Sequence, residues 1–129
     1  MTRKTFGDRL RELRLQSHDY HSLRDFAKRV GLSPTYLSHI ENNKVPPPSE
    51  DVIERLADAL HVDAKIKYEL YSLGNKMPLE FMETFKGNPK GVADFLRTVR
   101  EAGIRRDEDW EILMREARRL SRRSEGEES

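Results

Sequence analysis

An all-α fold is predicted by three observations in the 129 residues. Charged residues make up 36% of the chain against 7 glycines and 6 prolines, a balance that favours solvated helices over a sandwich or a collagen-like rod. Apolar residues recur at helical spacing, as in Phe6, Leu10 and Leu13 near the start and Trp110, Leu113, Ala117 and Leu120 near the end. Start and stop signals alternate with these stripes: Ser22, Ser33 and Ser49 precede them, and Gly31 and Gly74 follow them. The pattern predicts five helices over residues 1–75, a C-terminal segment of two to three helices over 76–123, and a disordered acidic tail, SEGEES, over 124–129.

The first helix is predicted from about Thr5 to Gln16, with Arg9, Arg11 and Arg14 around its apolar stripe. SHDYHS then forms a loop. Ser22 can cap a second helix, and Asp25 three residues on suits the positive helix end. Phe26, Ala27 and Val30 form its inner face, and Ala27 is small where a neighbouring helix would cross. Gly31 can take the left-handed conformation that ends this helix in a sharp turn, with Leu32 dipping inward. Ser33 and Pro34 start the third helix as N-cap and first helical residue. Leu37 and Ile40 turn inward there, which leaves Pro34, Thr35, Tyr36, Ser38, His39, Asn42 and Asn43 on the outer side. The result is two short helices clamped across a tight turn.

KVPPPS bars a helix and holds an extended path, a rigid connection rather than a proline-rich ligand. Ser49 caps a fourth helix with Glu50 and Asp51 in its first turn and Val52, Ile53, Leu56, Ala57 and Leu60 on its buried face. Ile66, Leu70 and Leu73 mark a fifth helix that stops at Gly74.

Composition excludes several function classes. With no cysteine there are no disulfides, thiol nucleophiles or cysteine zinc sites. His18 and His21 lack companions at ligand spacing, so no metal and no cofactor is expected. The carboxylates form no set with a base, an orienter and an oxyanion site, and an enzyme is not expected. No apolar run approaches the roughly 20 residues that cross a bilayer, and the start lacks a signal-peptide core, so no membrane and a cytoplasmic location are expected. The net charge is only +1, but its distribution is uneven. Through Val45 nine basic residues (Arg3, Lys4, Arg9, Arg11, Arg14, Arg24, Lys28, Arg29, Lys44) face five acidic ones, whereas from Pro46 to Asn75 the acids dominate. Such a dipole can orient a domain on a polyanion.

From about Phe6 to Gly74 the chain resembles the XRE-type regulators, which include phage repressors and Cro proteins. The resemblance is carried by FGDRLRELR, by SLRDFAKRVGLSPTYLSHIENNKVPPPSEDVIERLADAL and by the closing helix up to LYSLG. It implies a compact five-helix helix-turn-helix domain whose third helix enters the major groove of double-stranded DNA, with Thr35, Ser38 and His39 nearest the bases. Pro34 and Asn42 complete the expected base-reading set. Relatives often carry glutamine or arginine on this face, so Pro34 at an early reading position puts bidentate recognition there in doubt. Arg14, Ser22, Ser33, Tyr36, Asn43 and Lys44 suit phosphate oxygens, which position the helix without reading sequence. Glu41, in the family's Ile-Glu pattern, is expected to pair with an arginine of the first helix.

After Asn75, Pro78 to Phe85 can form a short helix with Leu79, Phe81, Met82 and Phe85, broken by the Gly87–Pro89 turn. Val92, Phe95, Leu96 and Val99 form a second stripe ending near Gly103, and Asp107 can cap a last helix. Arg118, Arg119, Arg122 and Arg123 make its end basic, as a helix C-terminus prefers. Such helices bury little alone and must pack on the first domain or on another copy. Phe95, Leu96, Val99, Trp110, Leu113, Met114 and Ala117 are therefore the expected dimer or partner interface. The sequence reads as a DNA-binding transcription regulator, a repressor binding an inverted repeat as a homodimer. The alternative is a protein-interaction module, in which the C-terminal helices bind a toxin or a metalloprotease of the ImmA/IrrE type.

Overall fold

The computed structural model describes residues 4–20 and 22–128, with backbone alone for 124–128, so Arg3, His21 and Ser129 lie outside the described residues. Its regular structure is entirely helical, in eight α-helices: α1 Phe6–Gln16, α2 Leu23–Val30, α3 Pro34–Glu41, α4 Glu50–Leu60, α5 Ala64–Leu73, α6 Leu79–Gly87, α7 Pro89–Glu101 and α8 Asp107–Glu128. The chain divides into two compact units, Met1–Met82 and Glu83–Ser129, and the boundary falls inside α6.

In the first unit α1 packs on α3 and α5, α2 on α3 and α4, and α4 on α5. Their inner faces meet in one core in which Leu10, Phe26, Ala27, Leu37, Ile53, Leu56 and Leu70 are fully buried. Ala27, on the inner face of α2, is 0% exposed. Tyr71 joins this core although the apolar spacing of α5 did not single it out. It is 3% exposed, and its hydroxyl donates to Glu54 Oε1 at 2.7 Å. Burial, reinforced by that carboxylate, pushes the phenol well above its ordinary pKa.

The helix ends follow their local chemistry. Thr5, Ser22, Ser33 and Asp63 each accept a hydrogen bond from the backbone N–H three residues on. Ser49 occupies the corresponding position before α4 with extended backbone, but its side chain makes no capping hydrogen bond, so the first-turn acids Glu50 and Asp51 supply the favourable charge there. Gly31 ends α2 at φ 74°, as its position predicts. Arg55 of α4 reaches this turn, donating from Nη1 to Val30 O at 2.9 Å. At the end of α5 the left-handed residue is Asn75 (φ 56°), while Gly74 keeps φ −86°. Glycine serves packing there, since an added Cβ would stand 3.3 Å from Ile53 Cδ1 and 3.5 Å from Phe6 Cδ2.

In the second unit Asn88 alone separates α6 from α7 and caps the latter, its Oδ1 accepting from Gly91 N–H at 3.1 Å. Val99 of α7 is buried, so of the expected interface residues it belongs to the unit's interior. Phe95, Leu96, Trp110 and Met114 remain 37–49% exposed. Gly103 (φ 68°) turns the chain, and α8 opens with Asp107, Glu108 and Asp109 in its first turn. It continues without a proline through residues 124–128, where the sequence reading places an irregular tail.

Candidate nucleic-acid interface

α3 is anchored from within and presents its other side outward. Leu37 (0% exposed) and Ile40 (2%) seat it in the core. Ser33 Oγ accepts from Tyr36 N–H at 3.1 Å and fixes its start. Pro34, Thr35 and Tyr36 are consequently exposed, and Ser38 and His39 are half-buried beside them. The outer face thus offers short hydroxyls, a methyl group and an imidazole, side chains of the size and polarity that contact base edges and phosphates. Asn42 at the C-cap is also exposed, but its Nδ2 donates to Ser38 O at 2.9 Å and lies 3.3 Å from Ser38 Oγ. Its outward capacity is therefore mainly that of a carbonyl acceptor.

Two side chains expected on phosphate have other work. Arg14 is 6% exposed and forms a bidentate pair with Glu41, Nε to Oε2 at 2.7 Å and Nη2 to Oε1 at 3.0 Å. It is the arginine of the first helix that Glu41 was expected to find, and its burial takes the guanidinium away from the surface. Asn43 adopts φ 58°, and its Oδ1 accepts from Gly7 N–H at 3.2 Å while Nδ2 donates to Asp8 Oδ1 at 3.3 Å. Its amide binds the start of α1 at both of its polar atoms. An isolated asparagine after a helix reads equally well as a polar contact, and only its left-handed backbone reveals this role.

The remaining candidates stay at the surface. Ser22 and Ser33 accept capping hydrogen bonds and keep their hydroxyl protons for donation. Lys44 is exposed just past α3. Of the other arginines on α1, Arg9 is held by Glu12 at 2.8 Å and Glu69 at 2.7 Å, and the Glu69 hydrogen bond raises its pKa further. Arg11 is exposed, as are Arg24, Lys28 and Arg29 of α2, and no ion pair among the described residues holds any of these or Lys44. The three cations of α2 were visible in the basic bias but had no assigned role. Elsewhere on this unit an open cleft of about 570 Å³ is rimmed by Glu50, Asp51, Glu54 and Glu80, a surface that repels phosphate.

A core-anchored α3 set against α2 across the Gly31 turn defines a helix-turn-helix domain, the class of scaffold that points to DNA-binding regulation and typically carries no catalytic activity. Residues 5–65 match the family model described as a helix-turn-helix domain. Comparison with curated proteins and with solved structures gives no significant match. Among the described residues no group of three or more His, Cys, Asp or Glu is placed to hold a metal ion, and no helix is long and apolar enough to cross a membrane.

Proposed function

We propose that this chain is a sequence-specific regulator of transcription that binds double-stranded DNA, with α3 in the major groove and two copies reading an inverted repeat. The observation that carries the reading is the contrast among the cations of the first unit. Arg9 and Arg14 are consumed by internal pairs, whereas Arg11, Arg24, Lys28, Arg29 and Lys44 stand exposed on the helix-turn-helix unit with no ion pair among the described residues. Phosphates would satisfy them and position the domain, and Pro34, Thr35, Ser38, His39 and Asn42 would then supply direct readout. Tyr36, Ser22 and Ser33 would donate to phosphate from hydroxyl groups. Two motifs spaced about 34 to 36 Å apart would contact successive major grooves, and occupancy of a promoter by such a dimer would repress it.

Selection of bound sequences from random duplex DNA tests this reading, followed by titration of the selected site against salt. Enrichment of an inverted repeat is expected. Five phosphate-seeking cations per domain imply a log–log salt slope of roughly −4 to −5 for each half-site. No enrichment, or an affinity indifferent to salt, would refute it. The exposed apolar side chains of the second unit favour a second reading, in which Phe95, Leu96 and Trp110 bind another protein, a toxin or a regulatory protease. Co-purification of a stoichiometric partner that survives mutation of α3 would support that reading.

A further inference from the structure

We propose that the cleft bounded by α4, α5 and the start of α6 binds a small amphipathic cation, an amine or quaternary ammonium that carries an apolar chain. The site lies wholly within the first unit and shares no residue with the outer face of α3. It stands independently of the regulator reading.

Two kinds of side chain line this cleft of about 570 Å³. Its apolar part is made by Tyr71, Met77, Leu79 and Met82, of which the last three are exposed. Its rim is made by Glu50, Asp51 and Glu54 of α4 and by Glu80 of α6. Their charges act on one spot. Burial, then the hydrogen bond and charge of Glu54, then the charges of Glu80 and Glu50 raise the pKa of the Tyr71 hydroxyl, so negative field from both helices reaches it. Cations of the fold offset part of this field. Asp51 Oδ2 meets Arg55 Nε and Glu54 Oε1 meets Lys67 Nζ, each at 3.5 Å. Glu50 forms no ion pair among the described residues.

This combination selects the occupant. A cleft with apolar walls and a rim of one sign focuses the field, so it attracts a positive charge and repels an anion. A divalent metal ion is a poor match, because no group of three or more His, Cys, Asp or Glu among the described residues is placed to hold one. A hydrophilic polycation would leave the methionine and leucine side chains in water. A single charge joined to an apolar body satisfies both parts of the lining, and flexible, polarisable methionines adapt to its shape. The volume falls within the roughly 300–1,000 Å³ of small-molecule pockets and suits a ligand of about a dozen heavy atoms or more.

NMR titration of the full chain, isotopically labelled at its methionine methyl groups, tests the proposal with octyltrimethylammonium as probe. The chain has 4 methionines, so each methyl signal can be followed separately. A probe of this size at ordinary ligand efficiency should bind with a dissociation constant of about 1 mM. Met77 and Met82 should shift together, whereas Met114, exposed on α8 and no part of the lining, should not. Octanol, octanoate and tetramethylammonium should each bind at least about tenfold more weakly, since each lacks the charge or the chain. Glu50→Gln with Glu80→Gln should weaken the probe about tenfold and leave octanol unchanged. Leu79→Ser should weaken probe and octanol alike. Circular dichroism of both variants separates a lost site from a lost fold. Equal affinity for octanol or for tetramethylammonium would overturn the proposal, as would unmoved Met77 and Met82 signals. A Met114 shift as large as that of Met82, or a charge variant that binds the probe as the native chain does, would overturn it too.

Discussion

Replacing Gly7 by alanine should destabilise the first unit, although the position lies inside a helix. In an ordinary helix interior the exchange gains about 1 kcal/mol. Here the new Cβ would stand 2.2 Å from Ile40 O, 2.8 Å from Glu41 O and 2.6 Å from Asn43 Oδ1. Two of these atoms belong to the backbone at the end of α3 and cannot swing aside. Restoring van der Waals separation requires α1 and α3 to part by about 1 Å. Overpacking of that kind costs about 1–3 kcal/mol, and loss of the Gly7 to Asn43 hydrogen bond adds about 1 kcal/mol. After the gain in helix propensity, a net loss of about 1–3 kcal/mol remains. Urea denaturation of Gly7→Ala and the native chain should show the midpoint falling by about 1 M at unchanged slope. A midpoint equal to or above that of the native chain would refute the close approach of α1 to α3.

Arg14→Ala should unfold the first unit more readily, by about 3–5 kcal/mol, because Glu41 would be left buried without its partner. Measured at a temperature where the variant is still folded, its salt slope for DNA should match that of the native chain, and a slope reduced by about one would return Arg14 to the phosphate contacts. Thr35→Ala and His39→Ala should each change base preference at one operator position by about 1–3 kcal/mol, read from binding to a panel of single-base variants. Uniform weakening over the whole panel would remove them from the reading face. His61 ends α4 at φ 54° on the surface, so His61→Gly should stabilise the first unit by roughly 0.5–1 kcal/mol in the same urea assay. A loss would show that the imidazole makes a contact worth more than the strain.

The helix-turn-helix was legible because its determinants are local. Ser22 and Ser33 bond to the third N–H after them, Gly31 supplies the left-handed stop of α2, and Leu37 and Ile40 follow from periodicity. Partners brought together from distant parts of the chain were legible only in kind. The acid of Ile40-Glu41 implied an arginine on α1, but whether Arg9, Arg11 or Arg14 would meet it depends on the rotation of α1 about its axis. That rotation is set by Gly7 lying against α3, where a glycine in a first turn carries no distinctive signal. Asn43 was assigned outward because its type suits phosphate as well as it suits a left-handed junction. Val99 shares the spacing of Phe95 and Leu96, and periodicity does not say which members of a stripe a small unit covers. Tyr71 escaped notice because a tyrosine near a helix end reads as amphipathic surface until Glu54 is seen beside its hydroxyl.

Asn43 and the Arg14–Glu41 pair tie the far end of α3 to α1, and Ser33 fixes its near end. A helix pinned at both ends gives up little freedom on meeting a ligand, and it also has little room to tilt toward a poorly matched one. In the proposed DNA complex, accommodation would then come from the nucleic acid, through groove width and the ease of bending at steps the side chains never touch. Amide exchange along α3 should be slow already in the free protein and change little in the complex, while operators altered only between their half-sites should differ in affinity according to their stiffness.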